Sequence, residues 1–254
     1  MSPEPLGGAR PGERPGERRE AARGAVVRDA LDPLLVDPGM SVVDVGGGTG
    51  GHAVRLAALG HRVVVVDPSP DALASLHRRA TEAGVEDRVE GVQGDLGDLR
   101  GPGGVVAAGS VDLLLCHGVL EIVADPEEAL DALAGVLRPG GHLSLVVAQR
   151  YAAVLARAMA GQFVAARELL DDPAGQAGRT GRRFARAELE QLLAAAGLRT
   201  VSVHGVRVFA DLVPGALLDA EPGSSQALVE LERAAAQRPE LQPLASQLHV
   251  VAQR

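Results

Sequence analysis

The sequence predicts an α/β fold with a doubly wound, mostly parallel sheet. Three observations carry this. Short apolar runs alternate with helix-period segments through residue 148, the pattern of parallel strands joined by crossover helices. The run Val42-Val43-Asp44-Val45 breaks into Gly46-Gly47-Gly48-Thr49-Gly50-Gly51 before a helical pattern from His52 to Leu59, which reads as strand, tight turn and helix. Two late apolar-alternating segments, 198–208 and 247–252, follow a more helical stretch. They bring the strand count to seven and put at least one antiparallel strand at the edge.

The elements follow in order. Residues 1–19 are rich in Pro, Gly, Glu and Arg, with Pro-Gly-Glu-Arg repeated in tandem. They offer no packable face and read as a disordered arm. The remainder, 20–254, reads as a single domain: a core over about 40–150, then a cap with the late strands over 151–254. A helix is expected over 20–35, its end frayed by Pro33. The second strand, 61–66, ends at Asp67. Pro68-Ser69-Pro70-Asp71 then opens a helix to about Ala83. Arg88 to Gln93 is the third strand, with Asp95-Leu96 at its end. Val111 to Cys116 is the fourth, followed by His117. Asp125-Pro126-Glu127-Glu128 opens a helix to Leu137, and Arg138-Pro139-Gly140-Gly141 stops it before a fifth strand, 142–148. One helix is expected over 152–170, then a glycine-rich loop to Arg183, and further helices over 186–196 and 225–237.

Composition narrows the function classes. The chain has 254 residues, 46% of them hydrophobic but only 2% aromatic, so its core is built from Ala, Val and Leu. All 25 basic residues are Arg. The formal net charge of −8 gives no global field for nucleic acid, so any RNA contact is a local patch. Cys116 is the single cysteine, which excludes a disulfide framework and a cysteine-built zinc site. There is no metal-ligand pattern, no apolar run of about 18 residues and no signal-peptide core. A reducing cytoplasm is the expected setting.

In an open α/β sheet, ligands sit beyond the carboxyl ends of the strands. Gly46, Asp67, Asp95, Leu96 and His117 all fall on that rim. Asp67 stands about 20 residues past the first glycine, where an acid accepts from both hydroxyls of an adenosine ribose. Asp95 can accept from the exocyclic amine of adenine, with Leu96 packed on the ring. Two ligand classes fit the glycines. Gly46-x-Gly48-x-x-Gly51 passes the dinucleotide pattern and would suit a nicotinamide-dependent oxidoreductase. Asp44-x-Gly46-x-Gly48-x-Gly50 suits S-adenosylmethionine (SAM), because a carboxylate beside the turn repels a pyrophosphate and welcomes a sulfonium and an ammonium. A non-catalytic SAM-binding protein is the third possibility, opposed by the complete ligand rim.

Asp44 to Gly50, Asp67, Asp95 and Leu137-Arg138-Pro139-Gly140-Gly141 together resemble the class I SAM-dependent methyltransferases. The resemblance covers about residues 40–150. It implies a Rossmann-like core, a seven-stranded sheet with an antiparallel edge, and SAM contacts at Gly46, Gly47, Gly48, Asp67, Asp95, Leu96 and His117. A closer resemblance reaches further. His117-x-Val119-Leu120-Glu121-x-Val123-Ala124-Asp125-Pro126, Met159-x-Gly161-x-Phe163, Gly205-Val206-Arg207-Val208-Phe209-x-Asp211, Leu228-Val229-Glu230-Leu231-Glu232 and His249-Val250 are similar to the bacterial tRNA 5-carboxymethoxyuridine methyltransferases. Those enzymes esterify a carboxylate on a modified wobble uridine.

That family also implies a SAM-binding arginine in the first helix, a few positions after a basic-Gly pair. Arg23-Gly24 matches the pair, Val27 occupies the arginine's place, and Arg28 or Arg23 substitutes. Where proteobacterial members carry a lysine run, this chain has Arg179, Arg182 and Arg183. A carboxylate acceptor is ionised at neutral pH and needs no general base; it needs a planar cationic clamp. Arg207 is the first candidate, then Arg150 and Tyr151. The acceptor is expected to be tRNA or a small carboxylate.

Overall fold

The computed structural model describes residues 15–99, 104–171, 181–220 and 223–254. Seven strands form one sheet: β1 (Ser41–Val45), β2 (Arg62–Asp67), β3 (Val89–Gln93), β4 (Val111–His117), β5 (Leu137–Ala148), β6 (Arg199–Val206) and β7 (Gln247–Gln253). Their order is β3-β2-β1-β4-β5-β7-β6. The first five pair in parallel, whereas β7 runs antiparallel to both β5 and β6. This is the expected doubly wound sheet with an antiparallel edge. Reversal at β7 brings its first residue, Gln247, opposite Ala148 at the end of β5. The start of β7 therefore joins the ligand rim.

The central strands are near-continuous apolar runs because helices cover both faces. α2 (Gly51–Ala58) and α3 (Pro70–Glu82) bury Ala53, Leu56, Leu76 and Ala80 against Val42, Val63, Val65 and Leu113. On the other face, α4 (Pro126–Val136) and α7 (Arg186–Ala195) pack Leu130, Leu133, Leu189 and Leu193 on Val43, Leu114 and Leu145. α3 and α4 start where capping chemistry places them. The Ser69 hydroxyl accepts from the Ala72 N–H, and the Asp125 carboxylate accepts from the Glu127 and Glu128 N–H groups.

Several boundaries differ from expectation. α1 spans Pro15–Leu31 and continues as a 3-10 turn over Asp32–Leu34. Residues 15–19 are thus helical and not part of an arm; residues 1–14 lie outside the described ones. The helix expected over 152–170 is two helices, α5 (Arg150–Met159) and α6 (Phe163–Asp171). Gly161 turns the chain between them at φ 74°, a conformation glycine adopts without steric cost. Arg138-Pro139-Gly140-Gly141 does not precede β5 but lies within it: Leu137 already pairs with Val111, and the register slips before Leu113. A short α8 (Gly215–Ala220) was not expected, and α9 spans Ser224–Ala236.

The second half is held by buried polar groups. The Glu232 side chain, fully buried on α9, accepts from the Val208, Phe209 and Ala210 N–H groups at 2.7–2.8 Å. Gln149 caps α5 and donates to the Gln242 and Pro243 carbonyls. These bonds satisfy backbone that no strand or helix partner reaches.

Candidate functional site: a cofactor cleft and an arginine-walled cavity

The carboxyl ends of β1, β2 and β4 border a cleft of about 860 Å³. Gly46, Asp67, Asp95, Leu96 and His117 all line it, as do Val119 and Ile122. The glycine turn is clamped onto β2. The Gly46 N–H donates to the Val66 carbonyl at 2.8 Å, and the Gly48 N–H donates to the Asp67 carboxylate at 2.9 Å. The other Asp67 oxygen accepts from the Ser69 N–H. Both carboxylate oxygens are thereby aimed, and each retains acceptor capacity. Gly46 sits at φ 68°, and a Cβ there would lie 2.4 Å from Val119 Cγ2. A Cβ on Gly47 would lie 2.6 Å from the Asp44 carboxylate. Only glycine lets the turn lie this close to its neighbours. The Asp95 carboxylate accepts from the Gly97 N–H in the loop bordering the cleft.

Beneath the turn, Asp44 is 2% exposed and its Oδ2 has no hydrogen-bond partner among the described residues. Burial pushes this carboxyl up to about 7, with Arg23 pulling it down. His117 bonds the Ser144 hydroxyl at 2.8 Å, and Ser144 in turn bonds His249 at 2.9 Å. Burial lowers all these imidazoles. His117 lies well below its ordinary value, His52 is near 4 and His249 is near 3. The site therefore holds neutral histidines and a buried carboxyl with one oxygen that accepts no hydrogen bond among the described residues.

Residues 43–145 match the methyltransferase-domain family profile. The ubiquinone biosynthesis O-methyltransferase of Xanthomonas axonopodis pv. citri is 35% identical over 188 residues, covering 70% of this chain and 73% of that protein. The chain belongs to the class I SAM-dependent methyltransferases. The tRNA 5-carboxymethoxyuridine methyltransferase of Escherichia coli is 34% identical over 151 residues, 58% of this chain and 56% of that protein. The chain thus spans a little over half the length of this relative. Among solved structures, the 1,6-didemethyltoxoflavin-N1-methyltransferase of Burkholderia thailandensis, crystallised with S-adenosylhomocysteine (SAH), superposes with a TM-score of 0.56. It is 22% identical and covers 93% of this chain and 79% of that one; the likeness is one of fold.

SAM fits this methyltransferase cleft. The unpartnered Asp44 oxygen suits a ligand that brings positive charge to the turn, and that same carboxylate disfavours the pyrophosphate of a nicotinamide dinucleotide. Asp67 offers acceptors for a ribose diol, and Leu96, 8% exposed, an apolar edge of the core where the cleft is lined. Arg28, an expected cofactor contact, lies back along α1 with its guanidinium beside Gly24. Arg23 donates to Glu20 and lies close enough to the turn for its charge to be felt there. Its charge acts on Asp44, His52, His117, Glu121 and His249, and its Nε is buried without a partner. The basic-Gly pair was the one sequence signal pointing to it.

A second cavity, about 590 Å³, opens on the same rim at the tips of β5, β6 and β7. Ala148, Ala152, Ala153 and Ala156 supply apolar wall; Arg19, Arg157, Arg183 and Arg207 supply charge. Arg207 is on this wall as expected from its place after β6. It also forms an ion pair four residues along the chain, donating to both Asp211 oxygens at 2.5–2.6 Å. Its backbone is left-handed at φ 60°, uncommon for a side chain of this size. Arg150 lies in neither wall. It is 5% exposed and spends its guanidinium on Glu188 and the Arg183 carbonyl, fastening α7 to the tip of β5. The candidate Arg150 is thus engaged in a buried ion pair with Glu188. Tyr151 is 46% exposed and lines neither space. Arg182 and Arg183 flank the cavity's loop, while Arg179 lies outside the described residues. Sequence reading missed Arg19, in the charged run Glu17-Arg18-Arg19-Glu20, and Arg157, in an alanine-rich helix.

Glu121 joins the two spaces. Its carboxylate accepts from the Ala148 N–H, and its carbonyl accepts from the Arg182 N–H. The loop after β4 is thus tied to both the β5 tip and the arginine loop. Among the described residues no group could hold a metal ion, and no helix is long and apolar enough to cross a membrane. Cys116 is buried, and burial pushes its thiol up, so it is not a nucleophile.

Proposed function

We propose that this methyltransferase transfers the methyl group of SAM to a carboxylate, and that the acceptor is the 5-carboxymethoxyuridine of a tRNA. The observation that carries this reading is Arg207, fixed by Asp211 on the wall of a cavity that shares a rim with the cofactor cleft. The likeness to the Escherichia coli tRNA enzyme supports the choice of acceptor.

Bound in the cleft, SAM supplies a methyl group on a sulfonium, an activated electrophile. The chain's own residues position. Asp67 holds the ribose hydroxyls, Asp95 and Leu96 the adenine, and Asp44 with Arg23 the charged amino-acid end. Arg207 presents a planar guanidinium to the acceptor carboxylate, bringing one oxygen into line with the methyl carbon. The carboxylate enters ionised, its reference pKa being about 4, so no base is required. The neutral His52 and His117 beside the cleft neither supply nor remove a proton.

A second reading is a small-molecule acceptor. It is favoured by the ubiquinone-pathway relative, of which this chain covers the larger share. The deciding experiment incubates the purified chain and SAM with tRNA lacking the ester, followed by nucleoside mass spectrometry. Conversion of 5-carboxymethoxyuridine to its methyl ester supports the tRNA reading. Unmodified tRNA, with methylation of a free carboxylic acid, replaces it with the second.

A further inference from the structure

The second cavity carries more positive charge than one carboxylate needs. Among the described residues lining it, four arginines face a single acid, Asp211. That acid is already shared: Arg207 and Arg19 both pair with it, and the Ser246 hydroxyl donates to it at 2.5 Å. Arg157 and Arg183 have no carboxylate partner within ion-pair distance among the described residues. Arg183 is held below its ordinary value first by burial and then by the Arg157 charge. Two inner donors, Nε of Arg183 and Nε of Arg207, are buried without a hydrogen-bond partner among the described residues.

Unpaired buried donors and crowded like charges both cost stability. They persist at sites that a ligand completes. In a chain whose net charge is −8, such a cluster is a local reversal of the field and selects anions. The apolar alanine wall and the volume admit a flat heterocycle beside the charges. The guanidiniums are also graded in depth. The Arg207 side chain is 26% exposed and that of Arg19 is 47% exposed.

We infer that this cavity binds its acceptor as a polyanion, a carboxylate at Arg207 and Arg183 together with a phosphate at Arg157 and Arg19. The inference rests on the carboxylate-methylation reading for the first group and adds the second. It names the acceptor class as a phosphorylated carboxylate, as in a nucleotide, and disfavours a carboxylic acid with no phosphate. Asp211 bridges the Arg207 and Arg19 guanidiniums.

The binding test uses SAH-saturated protein, which keeps the glycine turn occupied, and inorganic pyrophosphate as the probe. Calorimetry should show saturable binding that weakens at least tenfold in Arg157→Gln and in Arg183→Gln, with SAH affinity unchanged. It should also weaken steeply with salt. No saturable binding, or wild-type affinity in either variant, overturns the inference. The kinetic test compares 5-carboxymethoxyuridine with its 5′-monophosphate. The monophosphate should have at least tenfold higher kcat/KM, an advantage lost in Arg157→Gln. Equal kcat/KM for the two overturns the phosphate locus and leaves methyl transfer to a carboxylate standing. Methylation of neither compound nor of tRNA lacking the ester, with pyrophosphate still bound and Arg157-dependent, overturns the carboxylate reading while supporting the anion site.

Discussion

Around the cofactor cleft the ligand-facing surface is largely backbone: the Gly46–Gly48 turn, the strand ends, and one carboxylate locked by two N–H groups. Around the second cavity it is long side chains on helices and loops, Arg19 and Arg157 among them. Backbone geometry is set by a handful of torsions and tolerates little change. Arginine side chains reach the cavity from elements far apart in sequence, and any one can be exchanged without moving a strand. A universal cofactor suits the first construction and a particular acceptor the second. The contrast teaches where specificity is free to vary on a common sheet.

The largest expected effect tests whether the acceptor half depends on buried polar joints. Glu232→Ala strips three backbone N–H groups of their acceptor in a fully buried place. Unfolding in urea should show a loss of about 3–5 kcal/mol; a loss under about 1 kcal/mol would mean that water or a neighbour takes over the bonds.

Arg207→Ala separates the two sites functionally. Turnover over acceptor affinity should fall roughly thirty- to 150-fold, about 2–3 kcal/mol, with SAM affinity near wild type. Arg207→Lys should recover little, since a point charge cannot make a bidentate clamp. A wild-type rate in Arg207→Ala removes the clamp.

Asp67→Ala is the mirror experiment. SAM affinity should fall by about 1.5–3 kcal/mol in a protein that still folds, because β2 keeps its pairing on both sides. An unchanged dissociation constant would place the ribose elsewhere.

The smallest effect is a pH slope that joins the halves through the His117–Ser144–His249 line. His52 and His249 have folded values near 4 and 3 against 6.5 unfolded. Between about 4 and 6.5 the unfolded chain binds more protons at these positions, so their contribution is full above 6.5 and declines as pH falls. Asp44, raised from 3.8 to about 7, acts oppositely, favouring the fold at low pH and losing that contribution as pH rises through 7. With His117 lowered in the same direction, these histidines outweigh Asp44 and the likewise raised Glu121, and stability falls on acidification, on the order of 1 kcal/mol per pH unit. Urea midpoints at pH 7, 6 and 5 measure this. His249→Gln should flatten the curve; an unaltered slope would exonerate the histidine line.

How much of this was legible depended on the range of the interactions. Val42 to Gly51 states strand, turn and helix within ten residues, and Asp67 and Asp95 follow from strand ends. Arg207 was legible for the same reason, as a charge at the end of a strand. Arg150 was not, because its partner Glu188 sits on another helix and no local pattern pairs them. The break at Gly161 was hidden by helical periodicity on both sides of it. The Pro139-Gly140-Gly141 stop was misplaced because Val111 pairs with Leu137 before the strand's regular register begins. Glu232 stands in a helical run, and only the fold brings the Val208, Phe209 and Ala210 N–H groups to it.

The sequence by itself determined the parallel core and the cofactor side of the rim. There, strand, glycine turn and acid are neighbours along the chain, and periodicity alone assigns them a face. Tertiary structure decided the arginine-walled side. Arg19 precedes Asp211 by most of the chain, and Arg157, Arg183 and Arg207 come from a helix, a loop and a strand end. Their meeting requires β7 to reverse between β5 and β6, so that its start lies at the tips of both. That reversal is a property of strand pairing across the whole sheet, and no local run of residues records which guanidiniums it gathers.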